Sequence, residues 1–374
     1  MKGNAFGLIY TGESNLQLRD LTTSRSIAAV PYGGRYRCID FVLSCMVNSG
    51  ITNVGIIAQK NYHSLMDHLG AGKEWDLNRK RDGLFILPPY VTKDSTGVYK
   101  GTADALRSVM GYVRRSSQKY CVLTGSHTIY NTTFNDMLRF HEEKDADITV
   151  LYNDEKSFSP DDQFDDLRLC VDDNYRVIDM EIDPYRPKST FQSCDCFVME
   201  KSLLEYLVEE AATHAEHDFI RDILIRKVNS LKIYGYRYDG FVARLNSMSM
   251  YFNQSMALLD PIVREDIFNP DHPIYTKVKD EVPARYNANA NVTNSFIADG
   301  CIIDGTVENS ILFRGVKVAK NAVVRNSIIM QACEIGSDTG IDYVIMDKGV
   351  TVKSGRTLSG HNSFPVVLRK GMIV

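Results

Sequence analysis

A short word recurs toward the C-terminus: Asn294-Ser-Phe-Ile, Asn309-Ser-Ile-Leu, Asn326-Ser-Ile-Ile and Asp342-Tyr-Val-Ile, spaced 15, 17 and 16 residues apart. Within the same stretch aliphatic residues step by six, as Ile297 and Ile303, then Leu312, Val318 and Val324, then Ile329, Ile335 and Ile341. A period of this length marks a stacked-repeat architecture. Six-residue steps predict a left-handed parallel β-helix. Each flat face supplies one inward aliphatic per hexad, three hexads close a triangular coil, and stacked coils bury a continuous core that one repeat could not bury alone. A small antiparallel β domain, the competing arrangement, would favour a period of two.

The hexads leave most of the 374 residues to be organised separately, and a chain of this length exceeds what one core usually holds. Upstream, short apolar runs (Phe6 to Tyr10, Val54 to Ala58, Tyr120 to Thr124, Ile148 to Tyr152) alternate with helix-like stretches such as Phe41 to Ser49. That alternation predicts βαβ units and a Rossmann-like, mostly parallel sheet. Ligands in such sheets sit beyond the carboxyl ends of the strands, which directs attention to the loops after Tyr10, Ala58 and Thr124. Breaker residues from Asp260-Pro through Asn269-Pro-Asp-His-Pro to Pro283 read as a linker. The expected division is an α/β domain at 1–259, a linker at 260–290 and a β-helix at 291–374.

Charge and composition exclude several partners. The formal net charge of −4 leaves no basic stripe for a phosphate backbone, so nucleic acid is not expected. No run reaches about 18 apolar residues and the N-terminus lacks a signal-peptide layout, so no membrane partner and a cytoplasmic location are expected. Eight scattered cysteines, with Cys194-x-Cys196 the only close pair, fit neither a zinc nor a dithiol-redox spacing and read as inert thiols.

Two consecutive segments carry a more specific signal: GLIYTGESNLQLRDLT from Gly7 to Thr22 and SRSIAAVPYGGRYRCIDF from Ser24 to Phe41. Together with Ile56-Ile-Ala-Gln59, Gly101-Thr-Ala-Asp-Ala105, Leu123-Thr-Gly-Ser-His127, His217-Asp-Phe219, Gly240 to Leu258 and the hexads, they resemble the ADP-glucose pyrophosphorylase (glucose-1-phosphate adenylyltransferase) family over nearly the whole chain. That family reads approximately ALILAGGRGTRLKDLT and KRAKPAVxFGGKFRIIDF. The resemblance implies in-line attack of a glucose 1-phosphate oxygen on the α-phosphorus of ATP. Such a step needs positioning and charge neutralisation: a glycine loop, cations and magnesium.

Position by position, this sequence departs from that equipment. The family's Gly-Gly-x-Gly is Gly12-Glu13-Ser14-Asn15, which keeps one glycine and puts a carboxylate where phosphates would rest. The following Arg is Gln17 and the Lys of the KPAV word is Ile27, removing two cations from the site. The two magnesium-binding aspartates correspond to Ser126 and Arg244. A cation about 4 Å from a divalent ion costs roughly 8 kcal/mol at an effective dielectric near 20. The FVEKP word for the sugar phosphate becomes Met180-Glu-Ile182-Asp183-Pro184, which loses the sugar contact and sets Asp183 against the phosphate. No metal or other cofactor is therefore expected.

What persists is Gly12, Gln59 and Gly101-Thr102-Ala103-Asp104, which the resemblance assigns to the nucleobase wall, with His127 and His217-Asp218-Phe219. These are remnant nucleotide-binding candidates. Their structural reading is a helix-capping turn and a buried His-Asp pair. The resemblance implies a noncatalytic or weakly catalytic GlgD-type partner subunit, paired in a hetero-oligomer, expected as a tetramer, with a catalytic ADP-glucose pyrophosphorylase and responsive to an adenine nucleotide or sugar phosphate. The alternative is an active nucleotidyltransferase in which Arg19, Arg25 and Arg35 bind phosphate and Asp104 binds metal. A free-standing effector sensor is a further reading. A hexapeptide acyltransferase is disfavoured, because no His lies between Asn291 and Gly360.

Overall fold

The computed structural model describes residues 3–12, 18–89, 99–155 and 166–374. The apolar runs become the parallel centre of a nine-stranded sheet, in which Ala5–Tyr10 lies between Asn53–Ile57 and Tyr120–Gly125, with Gly83–Leu87 outside Asn53–Ile57. Alternate residues of the central strand feed two cores, as the period of two requires. Phe6 and Leu8 pack with Leu106, Val113 and Leu207, while Ala5 and Ile9 pack with Val42, Met46 and Leu138. Beyond Tyr120–Gly125 the sheet turns mostly antiparallel, with Ile233–Arg237 parallel to Ile148–Asp154 at that side. Phe191–Glu200 runs against Tyr120–Gly125 and Ile148–Asp154, and carries a register shift between Ser193 and Phe197. That irregularity shapes the cavity described below.

The hexads form three five-stranded parallel sheets, the three faces of the left-handed β-helix. Ile303, Leu312, Val318, Val324, Ile329, Ile335 and Ile341 are all buried. Asn294, Asn309 and Asn326 sit at coil corners with φ of 41, 45 and 44°, a left-handed conformation asparagine tolerates. Their amides ladder: Asn294 Nδ2 donates to Asn309 Oδ1 (2.7 Å) and Asn326 Nδ2 to Asp342 Oδ1 (2.9 Å). The fourth repeat word is displaced by one residue from the sequence alignment. Asp342 pairs with Arg325, Ile345 pairs with Ile328, and Tyr343 takes the corner.

Parallel pairing starts at Arg285, inside the stretch assigned to the linker, where Arg285 N donates to the Cys301 carbonyl (2.8 Å). The rest of that stretch is fastened to the α/β domain. Asp260 caps the Pro261–Ile267 helix, Asn131 Nδ2 donates to the carbonyls of Ile267 and His272, and Thr276 Oγ1 donates to Asp40 Oδ2 (2.6 Å). The breaker residues therefore mark turns within a bound strap.

The two domains share a core. Ile27, Phe41, Leu245 and Tyr251 pack with Ile311, Phe313, Ile328 and Ile345 of the β-helix. At its edge the Arg25 guanidinium grips both Asp347 oxygens, at 2.8 and 2.5 Å, with both side chains almost fully buried. Removing one partner of a buried pair leaves an uncompensated charge, so Asp347→Ala is expected to lower unfolding free energy by about 3–5 kcal/mol, measured by urea titration. A double Arg25→Met, Asp347→Leu variant is expected to regain most of it.

Candidate functional site

A cavity of about 300 Å³ opens at the carboxyl ends of Ala5–Tyr10 and Tyr120–Gly125. Three glycines line it, and each is approached closely by another part of the chain. A Cβ on Gly12 would stand 1.9 Å from the Tyr10 ring, so the phenol lies against the one glycine kept from the phosphate loop. The Tyr10 hydroxyl accepts from Gln59 Nε2 (2.8 Å) and also bonds Thr102; burial pushes it up to about 12. A Cβ on Gly125 would stand 1.7 Å from Asp195 Oδ2. A Cβ on Gly101 would meet the His217 carbonyl at 2.3 Å, the same oxygen that accepts from Ala103 N (2.8 Å).

Asp195 occupies the bulge in Phe191–Glu200 with φ of 53°. Its Oδ2 lies 3.9 Å from His127 Nδ1. Neither Tyr10 nor Asp195 was singled out by sequence reasoning, though both left a trace. Tyr10 is a bulky aromatic where the related loop has Leu, and Asp195 interrupts the apolar run Cys194 to Met199.

Of the degenerate catalytic positions, Glu13, Asn15 and Gln17 lie outside the described residues. Ser126 is buried, and its Oγ finds no hydrogen-bond partner among the described residues. Arg244 lines the cavity, yet its guanidinium is turned into the wall. It donates to the carbonyls of Gln192 (3.2 Å) and Ser193 (3.0 Å) and to Asn153 Oδ1, with Glu155 4.0 Å away. Burial pulls its pKa below the usual guanidinium value. A buried orphan hydroxyl and a wall-bound cation do not fit a magnesium ion. Among the described residues no group of three His, Cys, Asp or Glu side chains is placed to hold a metal.

Three expectations need correction. Ile27 is fully buried in the interdomain core and does not line the cavity, because the apolar replacement found an apolar neighbourhood. Asp183 also lies outside the lining. Its Oδ1 accepts from Asp166 N (2.8 Å) and its Oδ2 is 3.8 Å from Arg221, so its charge serves a turn instead of confronting a phosphate; Ile182 alone of that pair faces the cavity. Asp104 accepts from Lys100 N (3.0 Å), which engages it in the turn that begins its helix.

The other survivors are likewise engaged in the fold. Asp218 caps the helical segment Phe219–Leu224 through Oδ1, accepting from Ile220 N (3.0 Å) and Arg221 N (2.7 Å), while His217 N and Asp218 N both donate to Asp222 Oδ2 (2.9 Å each). The expected His-Asp side-chain pair is thus a backbone-to-Asp222 arrangement. Seven of the eight cysteines are buried and none is in a disulfide. Burial raises the Cys194 and Cys196 thiols, which keeps them protonated and unreactive.

A second, smaller cavity lies in the cleft between the domains. Arg35, Arg37, Lys277 and Lys279 meet Arg314 and Lys348 of the β-helix there. Arg314 Nε and Nη2 are buried and find no hydrogen-bond partner among the described residues. Burial, reinforced by Arg37 and Arg25, pulls Lys348 down to about 7. Glu281 and Asp299 flank Arg314, and Asp347 lies beside Lys348. Among the candidate phosphate ligands, Arg35 reaches this cleft, Arg25 is bound to Asp347, and nothing is described of the Arg19 side chain.

The Arg244 geometry has a direct consequence. Arg244→Asp restores a carboxylate at the metal position but aims it at carbonyl oxygens. It is expected to destabilise the chain by about 3–5 kcal/mol in chemical denaturation, with no magnesium binding detected by calorimetry.

Comparison with known proteins agrees with this architecture. The nucleotidyl transferase family model matches residues 6–240, and a GlmU-like, C-terminal hexapeptide model matches residues 280–363. Similar proteins include the glycogen biosynthesis protein GlgD of Geobacillus stearothermophilus, 42% identical over 95% of this chain and 93% of that protein. GlgD of Bacillus subtilis (strain 168) is 38% identical, again over 95% of this chain and 93% of that protein. A glucose-1-phosphate adenylyltransferase of Fervidobacterium nodosum is 33% identical over 94% of this chain and 85% of its own length. A nucleotidyl transferase sheet, a hexapeptide β-helix and near full-length similarity to these proteins converge: the chain belongs to the nucleotidyl transferase family, in the branch that holds the GlgD proteins and the glucose-1-phosphate adenylyltransferases.

Proposed function

We propose that this chain is a noncatalytic regulatory subunit in glycogen biosynthesis, which pairs in the cytoplasm with a catalytic glucose-1-phosphate adenylyltransferase and changes its rate or its response to effectors. The observation that carries this reading is Arg244. A cation bonded to backbone carbonyls stands where the resemblance expects a metal-binding carboxylate, so the side chain needed for chemistry has become part of the wall. Ser126 supports it, since a buried hydroxyl is no substitute for the second carboxylate. The interdomain core and the β-helix are meanwhile fully built. A subunit selected for packing and contact without chemistry is expected to look like this.

The cationic cleft gives such a subunit a means of sensing anions. Six cations from both domains, four of them (Arg37, Lys279, Arg314 and Lys348) with depressed pKa values and one with donors that find no partner among the described residues, would gain from a phosphate or sugar phosphate between them. The alternative, an active nucleotidyltransferase with substitute ligands, draws less support, because Asp104 and Arg25 are already engaged elsewhere.

The test mixes the purified chain with a catalytic adenylyltransferase. A stable complex at micromolar concentration with an altered maximum rate or effector response is expected; the absence of a complex contradicts the proposal. The cleft has its own test. Lys348 carries charge below about 7 and loses it above, so anion binding is expected to weaken as pH rises through that value. Sulfate, which does not itself titrate in this range, should raise Tm more at pH 6 than at pH 8. Lys348→Met should abolish the difference.

A further inference from the structure

We infer that Tyr10 and Asp195 are built-in occupants of the large cavity, closing it to adenine nucleotides by covering the two glycine faces such a ligand needs. This rests on the reading of the cavity as a former nucleotide site. It adds that the closure comes from two replaceable side chains and not from the missing catalytic ligands.

Phosphates and nucleosides approach backbone at glycines because nothing stands on the Cα. At the ends of the two central parallel strands those faces are taken. The Tyr10 phenol lies where a Cβ on Gly12 would be, at 1.9 Å, and the Asp195 carboxylate where a Cβ on Gly125 would be, at 1.7 Å. Gly12 and Gly125 are therefore required here by the chain's own side chains. Tyr10 also claims a recognition group, since its hydroxyl takes the Gln59 amide (2.8 Å) that could otherwise read a base edge. The hydroxyl is further bonded to Thr102, on the Gly101 turn, so one side chain engages two of the retained positions that line the cavity. Asp195 adds a charge, and with Asp218 it sets two carboxylates in a lining that polyphosphate would have to enter.

The occupants are peripheral enough to be removed. Tyr10 ends its strand half-buried, and the Asp195 side chain is 28% exposed. Asp195 also holds a left-handed φ of 53°, which glycine adopts without strain.

The experiment is calorimetric titration of the intact chain with ADP, scored on binding and not on turnover. The wild type is expected to show no saturable binding into the millimolar range. Tyr10→Leu is expected to gain about tenfold or more in affinity, as the closed state ceases to compete. Tyr10→Phe keeps the ring and releases only the Gln59 amide, and is expected to gain clearly less than Tyr10→Leu. Asp195→Gly, which relieves the backbone and so should fold, is expected to give an intermediate gain. The inference is overturned if the wild type binds ADP as tightly as Tyr10→Leu, or if folded Tyr10→Leu gains nothing. A gain in Tyr10→Phe equal to that in Tyr10→Leu also overturns it. Should Tyr10→Leu fail to fold, Asp195→Gly decides, and no gain there overturns it. Failure of the wild type to form a complex with a catalytic adenylyltransferase would contradict the partner-subunit reading without touching this one, so the two failures are distinguishable.

Discussion

The bulge in Phe191–Glu200 and the buried Arg244 guanidinium depend on each other, and the character of the cavity follows from both. Breaking register between Ser193 and Phe197 turns Asp195 into a left-handed conformation and directs its carboxylate over Gly125. A bulge disrupts the local ladder, and buried carbonyls beside it need donors. Arg244 supplies them to Gln192 and Ser193 with a fork that a carboxylate could not provide. The side chain at the position where the resemblance expects a metal-binding carboxylate therefore reinforces the wall. Reversion at Arg244 alone would not rebuild a catalytic site, because the strand beside it has been shaped around the cation.

The same economy appears between the domains. Ile27, which lost a cation's position in the cavity, gained one in a core shared with the β-helix, next to the buried Arg25–Asp347 pair. That interface fixes the orientation of the β-helix, and with it the convergence of Arg35 and Arg37 on Arg314 and Lys348. The cleft exists only because the two domains are held together. An anion bound there would act on the joint between them, the natural place for a ligand to influence how a subunit meets its neighbours.

The fold was largely legible in the sequence because its signals are periodic. Six-residue aliphatic steps identify the β-helix, and apolar runs separated by helical patterns identify the parallel centre of the sheet. The errors arose where local chemistry gave way to register or tertiary context. Matching words gave the fourth repeat at Asp342, whereas the strand register, which pairs Ile328 with Ile345 as it pairs Ile311 with Ile328, puts Tyr343 at the corner. Breakers at 260–290 read as a linker, yet they shape turns that hydrogen-bond to Asp40 and Asn131. Ser126 and Arg244 were legible in the sequence as departures from the family's carboxylates. The cavity was not legible as a set of replacements, because which side chain lies over Gly12 or Gly125 depends on residues far apart in the chain. Asp183 illustrates the limit: its charge could be read from sequence, but its engagement with Asp166 and Arg221 could not.

We propose that the family's reaction has been lost from this chain. The measurement that tests it most directly is ATP formation from ADP-glucose, pyrophosphate and magnesium by the isolated chain, beside a catalytic relative under identical conditions. Loss of the metal ligands and their charge stabilisation predicts a rate lower by about a thousandfold or more. A rate within about tenfold of the relative, which corresponds to roughly 1.4 kcal/mol of barrier, would contradict the account.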